Sequence, residues 1–403
     1  MIPVEEALQR ILEKISALPE ELVSLDQARG RVLARPVTAR VSHPPKAVSA
    51  MDGYAVRAAD VAGAPVELEV AGHIAAGETF SAELGPGHAV RIFTGAQLPR
   101  GADAIVIQED TEEAGEARVL VRNPVPKGYY VRPEGLDFQA GDIGVSPGKR
   151  LSVRDVALAA AMNVPWLHVY RKPRVAVLAT GDEVVMPGDA PGPAQIVSSN
   201  GLALCSFIEA CGGTALNLGI APDNAEALNS MISGARGADL LVTTGGASVG
   251  EHDLIRSGLH DLRMDFWKIA MRPGKPLLFG QLGEVPMLGL PGNPVSTLVC
   301  ALVFLRPCLD RMQGLSEGKQ KMETARLVEG LSENDRRQDY MRALLEHDAE
   351  GGLTVRAAPR QDSSMLSTLS HSTALIVRPP HDPARQAGDA VSILRLDNQV
   401  YPM

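Results

Sequence analysis

The chain has 403 residues, 22% of them charged, and a formal net charge of −9. That length is enough for two to four domains, each burying its own core. The acidic balance and an aromatic content of only 4% exclude a nucleic-acid partner, because few residues remain to neutralise phosphates or stack on bases.

In chain order, Pro3–Ile15 places Val4, Ala7, Leu8, Ile11, Leu12 and Ile15 on one helical stripe, with Pro3 suited to the first turn. Asp26–Leu33 reads as a second short helix, and Pro36–Ala39 runs extended toward Pro44-Pro45. Asp52-Gly53-Tyr54 reads as a turn in which glycine permits positive φ and Tyr54 anchors the outgoing strand. Val66–Arg122 is β-rich, alternating at Val66, Leu68 and Val70 and at Val119 and Val121, with glycine turns between. Thr94-Gly95 is either a strand-end turn or a phosphate contact. Ser152 caps a helix over Val153–Met162, with Asp155 near its positive end.

From Arg174 the pattern becomes alternating strands and helices: strand Arg174–Thr180, helix Ser199–Ala210, strand Ala215–Ile220, a helix started by Asp223, strand Asp239–Thr244. Such alternation predicts βαβ units and a parallel sheet with helices on both faces. Phe266–Met271 and Leu277–Gly280 read as further strands, joined through Pro273-Gly274-Lys275-Pro276. Met287–Leu290 is a short strand leading into a helix over Val295–Leu309. After a charged linker, Gly314–Lys321, five short runs between Ala325 and Leu396 form a separate β-domain that also carries Arg336, Arg337, Arg342, Arg356 and Arg360. These arginines are a solvated face or an oxyanion site.

The four cysteines, Cys205, Cys211, Cys300 and Cys308, lack Cys-x-x-Cys spacing and read as buried reduced thiols. Glu5 and Glu6 stand where a secretory signal needs positive charge. The longest apolar run, Thr297–Leu305, is about half of the ~18 residues that span a membrane. A cytoplasmic protein without a membrane partner is the expectation.

Two strand tips carry the chemistry. Asp239–Thr244 delivers Gly245-Gly246 to a polar segment, and Met287–Leu290 delivers Pro291-Gly292-Asn293 to a helix. Glycines between a strand and a helix N-terminus are either tight connections or backbone cradles for an anion. In an open α/β sheet both tips lie at the carboxyl edge, where ligands bind. Glu183, Asp223 and Asp253 stand at or next to strand ends, although Asp223 can simply cap its helix. Three such acids beside a phosphate repel one another without a cation, and carboxylate oxygens with phosphates suit Mg²⁺.

Thr244-Gly245-Gly246-Ala247-Ser248-Val249-Gly250 with Asp253, the Pro-Gly-Lys-Pro turn and Leu290-Pro291-Gly292-Asn293-Pro294-Val295-Ser296 resemble the molybdopterin-binding domain. Ser49–Val56 narrows the resemblance to the molybdopterin molybdenumtransferases, the bacterial MoeA family, similar to the gephyrin E domain. The resemblance implies a multi-domain α/β and β protein with a three-layer α/β/α molybdopterin-binding domain over 171–318. It adds an elongated dimerisation segment (1–45 and 139–170), an inserted β-rich domain (46–138) and a C-terminal β-barrel-like domain (322–403). The implied activity is insertion of molybdenum from molybdate into the dithiolene of adenylylated molybdopterin (molybdopterin-AMP), releasing AMP, in a Mg²⁺-dependent homodimer that works with other cofactor-synthesis proteins. An adenylyltransferase and a gephyrin-like scaffold are the alternatives.

By resemblance, Asp52, Asp137, Glu183, Asp223, Asp253, Lys268, Arg272 and Lys275 are the catalytic set, and Glu183, Asp223 and Asp253 the metal ligands. Thr244, Gly245, Gly246, Ser248, Gly250, Pro273, Gly274, Pro291, Gly292, Asn293 and Ser296 would hold the pterin and its phosphates. Arg337 and Ser363 match the molybdate positions, with Lys275 completing the pocket. Arg272 stands where the family often has lysine; its planar fork changes the contact made there.

Overall fold

The computed structural model describes residues 1–245, 262–315 and 322–396, except the side chain of Trp267. Gly246, Ser248, Gly250, His252, Asp253 and most of the 314–321 linker lie outside the described residues.

The centre is a six-stranded sheet in the order 214–221, 174–180, 240–244, 285–290, 276–282, 262–268. Its first four strands are parallel, and the last two pairings, 285–290 with 276–282 and 276–282 with 262–268, are antiparallel. The parallel sheet expected of the alternating segments holds for these four strands, and the two further strands make the sheet as a whole mixed. The segments around the Pro-Gly-Lys-Pro turn are too short for a helical crossover, so they fold back as hairpins. Alternate residues face opposite layers. Val175 and Val177 pack with the Asn200–Ala210 and 294–312 helices, whereas Ala176 and Leu178 pack with Leu228 and Ile232 of the Ala225–Ile232 helix. The result is three layers.

The Val4–Glu13 helix buries Val4, Ala7 and Ile11 in this same core. Pro307 would leave the carbonyl of an ordinary helix unpaired. The preceding Ala301–Leu305 stretch is a π-turn, which lets one helix continue to Met312.

Asp26–Leu33 is not a helix. Only Leu25–Gln27 makes a 3₁₀ turn, Gly30 takes φ 77°, and Val32 and Leu33 form bridges to Arg150 and Val169. With Glu20–Ser24 paired to Trp166–Tyr170, Val37–Thr38 paired to Ile143–Val145, and the Val153–Ala161 helix, these residues build a small core of their own. Ser152 and Asp155 form the reciprocal cap of that helix.

Between these pieces sits a second six-stranded sheet, order 104–107, 53–56, 88–92, 66–74, 118–121, 111–113, with apolar clusters on both faces. Gly53 is a strand residue, not a positive-φ turn residue: a Cβ there would overlap the Val106 carbonyl oxygen of the paired strand. The C-terminal strands 338–347, 353–357, 323–327, 390–395 and 374–378 close on themselves as a five-stranded barrel around Ala343, Val355, Ile376 and Ile393. Met271–Arg272 joins this barrel in parallel with Gln338–Asp339, tying it to the α/β domain.

Candidate functional site

Parallel register sets Ala179 beside Thr244 and Thr244 beside Leu290, so three strand tips end together. Gly245 has φ 86°, and a Cβ on it would overlap the Thr180 carbonyl oxygen; only glycine fits. A Cβ on Gly292 would lie 3.6 Å from the Gly245 Cα, so the two glycines stand backbone to backbone. They border a cavity of about 420 Å³ also lined by Glu183, Asn200, Thr244, Pro291, Asn293 and Ser296.

Hydrogen bonds fix this floor. Asn200 Nδ2 donates to Thr244 Oγ1 at 3.0 Å and to the Gly292 carbonyl at 2.7 Å, and Thr244 Oγ1 donates to the Pro291 carbonyl at 3.0 Å. Thr297 Oγ1 donates to Pro291 O at 2.6 Å. Asn200 escaped the sequence reading; its position at a helix start after Ser198-Ser199 was the available signal. Thr180 Oγ1 is buried and has no hydrogen-bond partner among the described residues, which leaves a polar atom beside Gly245.

Glu183 lines this cavity, and Asp223 is exposed at the next tip, where its N–H donates to Asp182 Oδ1 at 2.9 Å. Asp223 does not start the following helix. Asn224 does, its Oδ1 accepting from the Ala227 N–H at 2.8 Å. Among the described residues no three His, Cys, Asp or Glu side chains cluster as a metal site, Asp253 being outside them.

Pro276 lines the cavity, and Lys275 is exposed next to it. Lys268 pairs with Pro276 across the ladder and is half-buried. Gly274, φ 110°, packs where a Cβ would overlap Cys300 Sγ, and Pro273 precedes it. Arg272 turns away toward the barrel. It pairs with Asp339, lies 3.5 Å from Asp335, and donates to Asn334 Oδ1 at 3.2 Å. The Asp339 bond raises the Arg272 pKa further.

Ser363, from the barrel domain, reaches the glycine tip: its Oγ accepts from Asn293 Nδ2 at 2.9 Å, and its carbonyl accepts from Val295 N at 3.2 Å. Arg337 is held by Asp335, Nη2 to Oδ2 at 2.6 Å. Chiefly through that bond, the Asp335 carboxyl is pulled down to about 2. Arg356 pairs with Glu329, so the arginines of this domain do not converge. Arg342 differs from them. It is fully buried, its Nε has no partner among the described residues, and one Nη donates at 3.4 Å to the Arg360 carbonyl. Burial lowers its pKa, opposed by the nearby Asp339 and Asp362 carboxylates.

Asp52 and Asp137 border a different part of the molecule. Asp52 Oδ1 accepts from the Thr94 N–H and the Thr94 hydroxyl, each at 2.7 Å; those bonds hold its carboxyl below the usual range. Asp137 is exposed on the wall of a cavity of about 560 Å³ that also touches Gly95, Lys46 and Arg132.

The cysteines form no disulfide. Cys300 and Cys308 are buried, but Cys205 and Cys211 are only half-buried, which corrects the expectation for those two. Burial pushes the Cys211 thiol up to about 11 and Cys308 up to about 12.

Comparison with known proteins matches three family models along the chain: the MoeA N-terminal region (domain I and II) at residues 2–163, a probable molybdopterin binding domain at 176–311, and the MoeA C-terminal region (domain IV) at 324–396. The chain is 37% identical to the molybdopterin molybdenumtransferase of Nostoc sp. over 93% of its own length and 88% of that protein. It is 33% identical to the one of Haemophilus influenzae over 98% of each. Among solved structures it is similar to the molybdopterin biosynthesis MoeA protein of Pyrococcus horikosii, with a TM-score of 0.86, 32% identity, and 98% and 99% of the two chains covered. With the glycine-lined tips in register and full-length relatives at this identity, the chain belongs to the MoeA family, the molybdopterin molybdenumtransferases of molybdenum cofactor biosynthesis.

Proposed function

We propose that this chain inserts molybdenum from molybdate into the dithiolene of adenylylated molybdopterin and releases AMP. The observation that carries this reading is the backbone contact of Gly245 with Gly292 on the floor of the cavity. Two N–H-bearing tips without side chains can approach phosphate oxygens closely, and the Pro294–Cys300 helix begins at one of them. Thr244, Pro291, Asn293 and Ser296 hold the pterin side, and Lys275 and Lys268 balance the phosphates as the anhydride breaks. Gly246, Ser248 and Gly250 continue the cradle in the sequence-based reading, with Pro273 and Gly274 setting the lysine-bearing turn.

The oxygen-only donors at these tips, Glu183 and Asp223 with the unpartnered Thr180 hydroxyl nearby, fit Mg²⁺; Glu183, Asp223 and Asp253 would hold it. When bound, the ion supplies positive charge to the phosphates. For the tetrahedral oxyanion, Ser363 offers a hydroxyl at the cavity rim. Arg337 is already matched by Asp335; the Nε of Arg342, without a partner among the described residues and near Asp362, is a further candidate cationic donor.

Asp137 lines a separate cavity and Asp52 is bonded to Thr94, next to Gly95 of its wall, and we assign both to the cleft of a second subunit. Exposed Leu22, Ile143 and Trp166 on the elongated segment support its use as the pairing surface. The domain limits 1–45 with 139–170, 46–138, 171–318 and 322–403 belong to this proposal, as do cytoplasmic residence and contact with other cofactor-synthesis proteins. No helix among the described residues is long and apolar enough to cross a membrane.

The test is incubation of the purified protein with adenylylated molybdopterin, Mg²⁺ and molybdate. AMP release that requires molybdate supports the reading; net adenylylation of molybdopterin from ATP would replace it with the adenylyltransferase. Mixed dimers of Asp52→Ala and Asp253→Ala chains should recover activity, and no recovery would return Asp52 to its own subunit.

A further inference from the structure

A second cavity, of about 450 Å³, lies where three parts of the chain meet. Arg150 comes from the return segment before the Val153–Ala161 helix. Leu298, Leu302 and Arg306 come from the long α/β helix, and Leu369 and Leu375 from the barrel domain. It shares no residue with the glycine-lined cavity.

Its walls are mostly apolar, but among the described residues its charges do not cancel. Arg395 is matched outside the wall by Glu323 at 2.9 Å. Arg150 and Arg306 instead share one carboxylate, Asp310, at 3.3 and 3.7 Å. Arg150 is also held in place by the Gly30 carbonyl at 2.9 Å and Gln313 Oε1 at 3.2 Å. An apolar space in which the described residues leave one fixed cation in excess is complementary to an organic anion, because the apolar body gains from burial and the guanidinium forks pair with the head. A seam that served packing alone would bring a second carboxylate or fill the space with side chains.

We propose that this cavity is a binding site for a small amphipathic organic anion, its head between Arg150 and Arg306 and its body against Leu298, Leu302 and Leu369. Occupancy reaches the catalytic cleft by a short route. Leu369 lies on the Leu366–His371 helix, which follows shortly after Ser363, the residue bonded to Asn293 at the glycine tip. An occupant therefore fixes the barrel domain against the α/β domain at the point where Ser363 is positioned.

Titration of the full-length protein with the fluorescent anion 8-anilinonaphthalene-1-sulfonate tests this without any activity measurement. The expected result is one saturable site. Its affinity falls at least tenfold in Leu302→Trp, which fills the space, and in Arg306→Gln, which removes the excess charge, and it is unchanged by saturating AMP. Undiminished affinity in Arg306→Gln, displacement of the dye by AMP, or absence of saturable binding would overturn the proposal. Arg306→Gln leaves the core intact, so it decides the matter if the tryptophan variant unfolds.

Discussion

Substituting the two facing glycines separates the role of the fold from the role of the cradle. Gly245→Ala forces alanine into φ 86° and drives its Cβ into the Thr180 carbonyl. The left-handed conformation costs about 1–2 kcal/mol, and the overlap about 1–3 kcal/mol more. Gly292→Ala meets only an ordinary contact at 3.6 Å and no positive φ, so its stability should stay within about 0.5 kcal/mol of the parent. Its new methyl nevertheless faces the tip where the phosphate is proposed to lie. Loss of one hydrogen bond to a charged group, about 1.5–3 kcal/mol, weakens binding roughly tenfold or more. Thermal unfolding and an anaerobic fluorescence titration with adenylylated molybdopterin measure the two effects. A stable Gly292→Ala protein that binds its substrate as tightly as the parent would refute the cradle.

Arg378 and Asp382 are both almost fully buried and joined at 2.9 Å, so Asp382→Ala should cost about 3 kcal/mol by stranding the arginine; chemical denaturation reads this. Asp335 has a folded pKa of about 2, below the ~3.9 of an unfolded aspartate, so its contribution is present above pH ~4 and is lost as pH falls toward 2. Arg337→Gln should flatten that acid limb, and a pH series of unfolding curves that keeps the parent slope would contradict the pairing. Thr94→Val removes one of the two bonds lowering the Asp52 pKa, so the carboxyl should titrate higher by carbon NMR; an unmoved titration would leave the hydroxyl without influence. Arg342→Ala and Ser363→Ala should raise the molybdate concentration needed for half-maximal AMP release, whereas equal dependence in variant and parent would remove them from the oxyanion pocket.

Local chemistry made much of this legible. Ser152 with Asp155 had to cap a helix, Val175 through Leu178 had to lie in a buried strand, and glycine after Thr244 had to serve a turn that admits no side chain. The misreadings share a cause. Asp26–Leu33 and the hairpin strands around Pro276 have no decisive period of their own, and their partners, Arg150, Val169 and Gly289, lie far along the chain.

Sequence alone determined which residue types could cradle an anion and that strands end at Thr180, Thr244 and Leu290, because backbone freedom and side-chain period act over a few neighbours. Tertiary structure alone decided that Gly245 meets Gly292, that Arg272 is spent on a barrel aspartate, and that Arg342 is buried with no partner for its Nε among the described residues. Those facts depend on which distant charges share a low-dielectric seam, and pairing at a distance leaves no mark in the local pattern.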